Sequence, residues 1–221
     1  MKDQEIFSRI DHTLLKASAS WEEIRAICNE AVQYKTASAC IPPAYVKPVH
    51  ETYGNTLTIC TVIGFPLGYS VSAVKAAETE QALADGAAEI DMVINLGDVK
   101  NRGFDRVLDE ITALKKILGA RILKVIVETC YLSVEEKIRL CELVGNAGAD
   151  YIKTSTGFGT AGAALEDIHL FKKHIGPQVK IKAAGGIRTR EDLEAFLNAG
   201  CSRIGTSSAV ALLTRGPGDA Y

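Results

Sequence analysis

No stretch of this 221-residue chain is apolar for the roughly 20 residues that a bilayer span requires. Its first residues, MKDQEIFSRIDHTLLK, lack the apolar core of a secretory signal. An excess of one charge is also missing, because 25 lysines and arginines are interleaved with 27 acidic residues for a net charge of −2. That balance argues against an electrostatic hold on nucleic acid or on an anionic membrane. The six cysteines contain no C-x-x-C pair. The four histidines, His12, His50, His169 and His174, fall into no zinc-ligand spacing. No metal and no cofactor are therefore expected, and reduced thiols imply a cytoplasmic protein. No G-x-G-x-x-G opens the first helical stretch, so a dinucleotide fold is not indicated. No Pro/Ser-rich linker or low-complexity block divides the chain. One domain is expected over residues 1–215, followed by a flexible tail over 216–221.

What is present is a regular alternation of short β-branched runs and longer amphipathic stretches. Strands are predicted over 8–12, 36–41, 57–63, 89–95, 122–129, 151–155, 179–184 and 203–206. Helices are predicted over 20–34, 43–53, 72–85, 104–118, 133–147, 164–174 and 190–199, with a short one over 207–213. Ser20 and Ser133 stand before acidic residues as helix caps would. Eight strand-like runs separated by helices imply parallel βα units, and that number fits a closed (β/α)8 barrel better than an open sheet.

Charges inside those strands carry the functional signal. Lys153 lies in YIKT and Lys182 in VKIKAA, on the sixth and seventh strands. Neighbouring strands lie about 4.8 Å apart, so inward side chains at matching heights meet. Two adjacent ammonium groups repel, and burial adds to the penalty; both effects favour a neutral amine. A neutral amine is what attack on a carbonyl requires, which points to Schiff-base chemistry. Asp91, in EIDMVIN, shares a strand face with Glu89, Val93 and Asn95 and supplies a carboxylate that can anchor one of the lysines or move protons through a water. Lys124 and Glu128 share a face of the fifth strand and are expected to form an internal ion pair. Which lysine is the nucleophile stays open on these grounds. Cys40, at the end of the second strand, is expected to be a buried, inert thiol.

Glycine-containing segments follow the last three strands: STGFG from Ser155, AGGI from Ala184 and GTSS from Gly205. Bare backbone N–H groups after the seventh and eighth strands of a barrel suit an anion. Gly185, Gly186, Ser207 and Ser208 are thus candidates to hold a phosphate.

The segments IDHTLL, GFPLG, EIDMVINLG, LKVIVET, YIKTSTGFG, KAAGGI and IGTSS occur in this order between residues 8 and 208. Together they resemble the bacterial deoxyribose-phosphate aldolases, a class I family. The resemblance implies a TIM barrel that reversibly cleaves 2-deoxy-D-ribose 5-phosphate to D-glyceraldehyde 3-phosphate and acetaldehyde. It places Lys153 on the Schiff-base lysine, Lys182 on the second lysine that eases its deprotonation, and Asp91 on the acid/base carboxylate. Phosphate contacts fall on Gly157, Gly185, Gly186, Gly205, Ser207 and Ser208, and Asp11 falls beside the sugar hydroxyls. The C-terminal Tyr221 matches a tyrosine that, in some members, assists proton transfer at the nucleophilic carbon. The family's homodimers and homotetramers make an oligomer the expected state.

Overall fold

Short runs of β-branched and other apolar residues become parallel strands here because both of their faces are covered, one by the barrel interior and one by helices. The strands are β1 (Ile10–Thr13), β2 (Ser38–Ile41), β3 (Ile59–Ile63), β4 (Glu89–Val93), β5 (Ile122–Ile126), β6 (Tyr151–Lys153), β7 (Lys180–Ala184) and β8 (Arg203–Thr206). Each pairs in parallel with its sequence neighbour, and β8 pairs back to β1, closing an eight-stranded barrel. This computed structural model describes residues 1–214. The tail expected to be flexible, with Tyr221, lies outside the described residues.

The helices are α1 (Asp3–Phe7), α2 (Trp21–Tyr34), α3 (Val46–Tyr53), α4 (Ser72–Ala84), α5 (Leu96–Lys100), α6 (Phe104–Leu118), α7 (Val134–Asn146), α8 (Leu165–His174), α9 (Arg190–Ala199) and α10 (Ala209–Thr214). None among the described residues is long and apolar enough to cross a membrane. Ser20 and Ser133 form reciprocal caps with Glu23 and Glu136, as their spacing predicted. Each such cap contributes about 1 kcal/mol. On α6, Val107, Ile111, Leu114 and Leu118 recur at intervals of three and four and are buried as one stripe. Burial pushes the thiols of Cys28, Cys141 and Cys201 up to about 12, in keeping with small apolar side chains.

Three local departures from the predicted elements have physical causes. Helix α1 is only five residues long, too short to show a period, and stays in place through tertiary contacts. Phe7 stacks on Tyr34 with ring centroids 5.0 Å apart, and Arg190 of α9 pairs with Asp3 at 2.8 Å. The strand predicted to run to residue 95 stops at Val93, because the Asn95 side chain accepts from Gly97 N–H and caps α5. The strand predicted to run to residue 129 stops at Ile126, and Glu128 turns the chain with a φ of +55°. Outside the barrel, α4 and α6 share a buried ion pair. Lys75 Nζ donates to Glu110 Oε2 and to the Val93 carbonyl, both at 2.8 Å.

Candidate active site

Alternation along the strands sends Ile90, Met92, Val125, Ile152, Ile181 and Ile204 to the apolar layer beneath the helices. Their neighbours point the other way, so the barrel interior receives Asp11, Glu89, Asp91, Lys124, Lys153, Lys182 and Arg203, all buried. Strand register sets them at common heights: Asp91 is opposite Lys124, Lys153 opposite Lys182, and Lys182 opposite Arg203.

Asp91 is the hub. Its Oδ2 accepts from Lys153 Nζ at 2.7 Å and from Lys182 Nζ at 2.6 Å, while Oδ1 accepts from Lys124 Nζ at 2.9 Å. Asp11 accepts from Ser38 Oγ at 2.7 Å and also from Lys182 and Arg203. Glu89 holds Lys124 at 2.5 Å and Arg203 at 3.0 Å. Burial by itself opposes ionising Asp91, but Lys124, Lys153 and Lys182 outweigh it and hold the carboxyl well below the usual range. Asp11 is held low in the same way by Lys124, Lys182 and Arg203. For Lys182, burial favours the neutral amine, yet Asp11 and Asp91 prevail and raise its pKa above the ordinary lysine value. The expectation that mutual repulsion would strip a proton from either lysine is therefore corrected for Lys182, because two carboxylates contact it. Lys153 contacts only one, Asp91.

Lys153 is also the member of this cluster that reaches the open end, at the foot of a cavity of about 690 Å³. Gly157, Gly185, Gly186, Gly205, Ser207 and Ser208 all line that cavity. The N–H groups of Gly157, Gly186 and Ser207 donate to no carbonyl among the described residues, which leaves them available to an anion. Close backbone packing shapes this wall: a Cβ on Gly162 would meet the Gly185 carbonyl oxygen at 2.3 Å. At Gly205 a Cβ would come 3.2 Å from Lys182 Cε, so the missing side chain leaves room for that lysine. Lys16 and Arg188 stand on the rim and were not singled out from the sequence, although Arg188 directly follows the Gly-Gly-Ile turn.

Other expected placements change. Asp11 is fully buried among its ionic partners and is not among the residues that line the cavity. Lys124 and Glu128 do not pair. Lys124 turns to Glu89 and Asp91, and Glu128 instead accepts from the N–H and the hydroxyl of Thr156, tethering the loop that carries Gly157. The left-handed turn at Glu128 removes it from the strand alternation that the pairing assumed. Cys40 is buried opposite Cys60 in the strand register, with Leu15 and Phe65 packed over the pair. Cys40, Cys60 and Asp91 approach within 4.8 Å of one another, as do Asp11, Cys60 and Glu89. Their atoms face ammonium and guanidinium groups, Lys124 Nζ lying 3.3 Å from Cys60 Sγ, and those fixed cations compete with any metal ion for the same donors.

Residues 6–214 match the DeoC/LacD family of aldolases. A deoxyribose-phosphate aldolase of Clostridium botulinum is 64% identical over 213 residues, covering 96% of each chain. One from Streptococcus pyogenes is 54% identical over the same length and coverage. Among solved structures, the deoxyribose phosphate aldolase of Aeropyrum pernix, described as a tetramer of unique arrangement, superposes with a TM-score of 0.90 at 33% identity. That alignment covers 96% of this chain and 91% of the Aeropyrum chain.

Proposed function

The chain belongs to the DeoC/LacD family of aldolases, and from that premise we infer that it reversibly cleaves 2-deoxy-D-ribose 5-phosphate to D-glyceraldehyde 3-phosphate and acetaldehyde through a Schiff base on Lys153. The observation that carries the assignment is the position of Lys153. It is an amine at the foot of a cavity, with one carboxylate partner, across from a wall of exposed backbone N–H groups.

The phosphate binds the N–H groups of Gly157, Gly186 and Ser207, with Gly185, Gly205 and Ser208 shaping the wall and the Lys16 and Arg188 charges at the rim. This anchors the open-chain sugar with its C1 aldehyde toward Lys153. The neutral amine adds to C1, water leaves, and the nitrogen becomes a protonated iminium. Acetaldehyde carries C1 and C2, so the bond that breaks is C2–C3, and its electron pair flows into the iminium. The C3 hydroxyl proton is released as C3 becomes the aldehyde of glyceraldehyde 3-phosphate. Asp91 is too weak a base to keep that proton, because three cations stabilise its charge. Its role is to orient Lys153 and Lys182 on one oxygen and to pass the proton on through water, with Lys182 as the ammonium that supports the relay. Protonation of the enamine at its terminal carbon and hydrolysis then release acetaldehyde. Tyr221 is a candidate donor for that last protonation. Asp11 acts from beneath, by holding Lys182.

Borohydride reduction in the presence of deoxyribose 5-phosphate, followed by peptide mass mapping, tests the assignment. The adduct is expected on Lys153, with acetaldehyde formed in the unreduced reaction. An adduct on Lys182, or none, would overturn it. A cytoplasmic homodimer or homotetramer without nucleic-acid or membrane partners completes the reading; the tetrameric Aeropyrum pernix relative supports the oligomer, and light scattering of the purified protein tests it.

A further inference from the structure

Counting charges in the barrel interior exposes an imbalance. Three carboxylates, Asp11, Glu89 and Asp91, face four cations, Lys124, Lys153, Lys182 and Arg203. With every group ionised the cluster holds one surplus positive charge, in a buried region where solvent screens it weakly. Releasing one proton makes the cluster neutral. The contacts decide which cation releases it. Lys124 has Asp11, Glu89 and Asp91 within 3.5 Å, Lys182 has Asp11 and Asp91, and Arg203 has Asp11 and Glu89. Lys153 has Asp91 alone and is the cation on the cavity.

Glu89 and Arg203, like Asp11 and Lys124, neither line the cavity nor contact Lys153. We propose that Glu89 and Arg203 are positioning residues that set the net charge of the barrel interior, so that the proton given up is the one on Lys153. The proposal rests on Lys153 being the imine-forming amine. Arg203 bridges Asp11 and Glu89 and lies over the Tyr151 ring, its Cζ 5.5 Å from the ring centroid. Glu89 in turn holds Lys124, which reaches Asp91. Of the other titratable groups nearby, Cys40 of β2, Cys60 of β3 and Tyr151 of β6 leave the count unchanged while protonated, and the buried carboxylate of Glu128 is held by Thr156 in the loop after β6.

The same count covers the reaction. Once the substrate is attached as an iminium, the nitrogen of Lys153 again carries a positive charge, and the surplus returns at the atom that withdraws electrons from the C2–C3 bond. Glu89 and Arg203 thus influence both the ease of making the nucleophile and the strength of the electron sink, without touching the substrate.

The experiment is the pH dependence of borohydride trapping with deoxyribose 5-phosphate, measured on full-length variants whose folding is checked by circular dichroism. Glu89→Gln removes a negative charge and is expected to move the trapping midpoint to lower pH by roughly half to one unit. Arg203→Gln removes a positive charge and is expected to move it to higher pH by a similar amount. The double variant restores the original count and is expected to return the midpoint to the wild-type position. Arg203→Lys, which keeps the charge, serves where Arg203→Gln does not fold and is expected to leave the midpoint in place. Midpoints of the single variants Glu89→Gln and Arg203→Gln that stay fixed, or that move in the same direction, overturn the proposal. Absence of trapping on Lys153 in the unaltered protein would instead overturn the assignment of the nucleophile.

Discussion

Lys153 and Lys182 stand opposite each other on β6 and β7 and donate to the same atom, Asp91 Oδ2, at 2.7 and 2.6 Å. Two residues of one type, at one height, are thereby given different chemistry by what lies behind them. Asp11 backs Lys182 and stabilises its proton. Lys153 has the cavity behind it instead, open to the substrate carbon that the proposed function brings to it.

Replacing Lys182 with leucine leaves Asp11 and Asp91 less neutralised, so the remaining cations hold their protons more tightly. Residual trapping on Lys153 is expected to need a pH about one unit higher than in the wild type. Mass mapping across a pH series measures this, and a midpoint that stayed or fell would contradict the role given to Lys182. Lys153→Leu is expected to abolish trapping at every pH.

The ionic cluster also links stability to pH. Asp11 and Asp91 are depressed in the folded state, so their contribution is complete above the unfolded carboxylate value of about 3.8 and is lost as pH falls below it toward the folded values. Lys124 and Lys182 are raised, so theirs is complete below about 10.5 and is lost as pH rises beyond it. Urea titrations are expected to show no change from these four groups between those limits. Asp91→Asn should weaken the acid limb; an unaltered acid limb would remove Asp91 from its origin.

Glu110 balances Lys75 in the buried contact between α4 and α6. Glu110→Ala leaves an ammonium buried without a counter-charge and is expected to cost about 3–5 kcal/mol of stability. Replacing the pair together, Lys75→Met with Glu110→Leu, removes both charges and is expected to recover most of that loss. Denaturant midpoints of the single and double variants decide between ion pairing and simple packing.

Gly162 has no room for a side chain, because a Cβ there overlaps the Gly185 carbonyl, a backbone atom of the proposed anion-binding wall. Gly162→Ala is expected to raise KM for deoxyribose 5-phosphate by about tenfold or more while changing turnover of unphosphorylated deoxyribose little. Equal losses on both substrates would place the damage at Lys153 rather than at the anion site.

Deleting Tyr221 is expected to slow exchange of the enamine's terminal-carbon protons while leaving Schiff-base trapping intact. Deuterium incorporation into acetaldehyde, followed by NMR, measures it, and unchanged exchange would dismiss the tyrosine.

Much of this protein was legible in its sequence because the relevant signals are local. Alternating runs predicted eight strands, Ser20 and Ser133 predicted two helix starts, and the segments YIKTSTGFG and KAAGGI located the lysines. The charges Lys153, Lys182 and Asp91 stood out because they interrupt strands that otherwise have no polar reason to be buried. Partnership was not legible. Lys124 and Glu128 looked like a pair by alternation, yet a left-handed residue turned Glu128 away to Thr156. Arg203 and Glu89 lie 114 residues apart and meet only because β8 and β4 enclose the same interior. Sequence alone thus determined which residues carry charge and on which strand. Closure of the barrel decided which charges neutralise one another, because the energy of a buried ion depends on its nearest counter-ions, and those come from other strands.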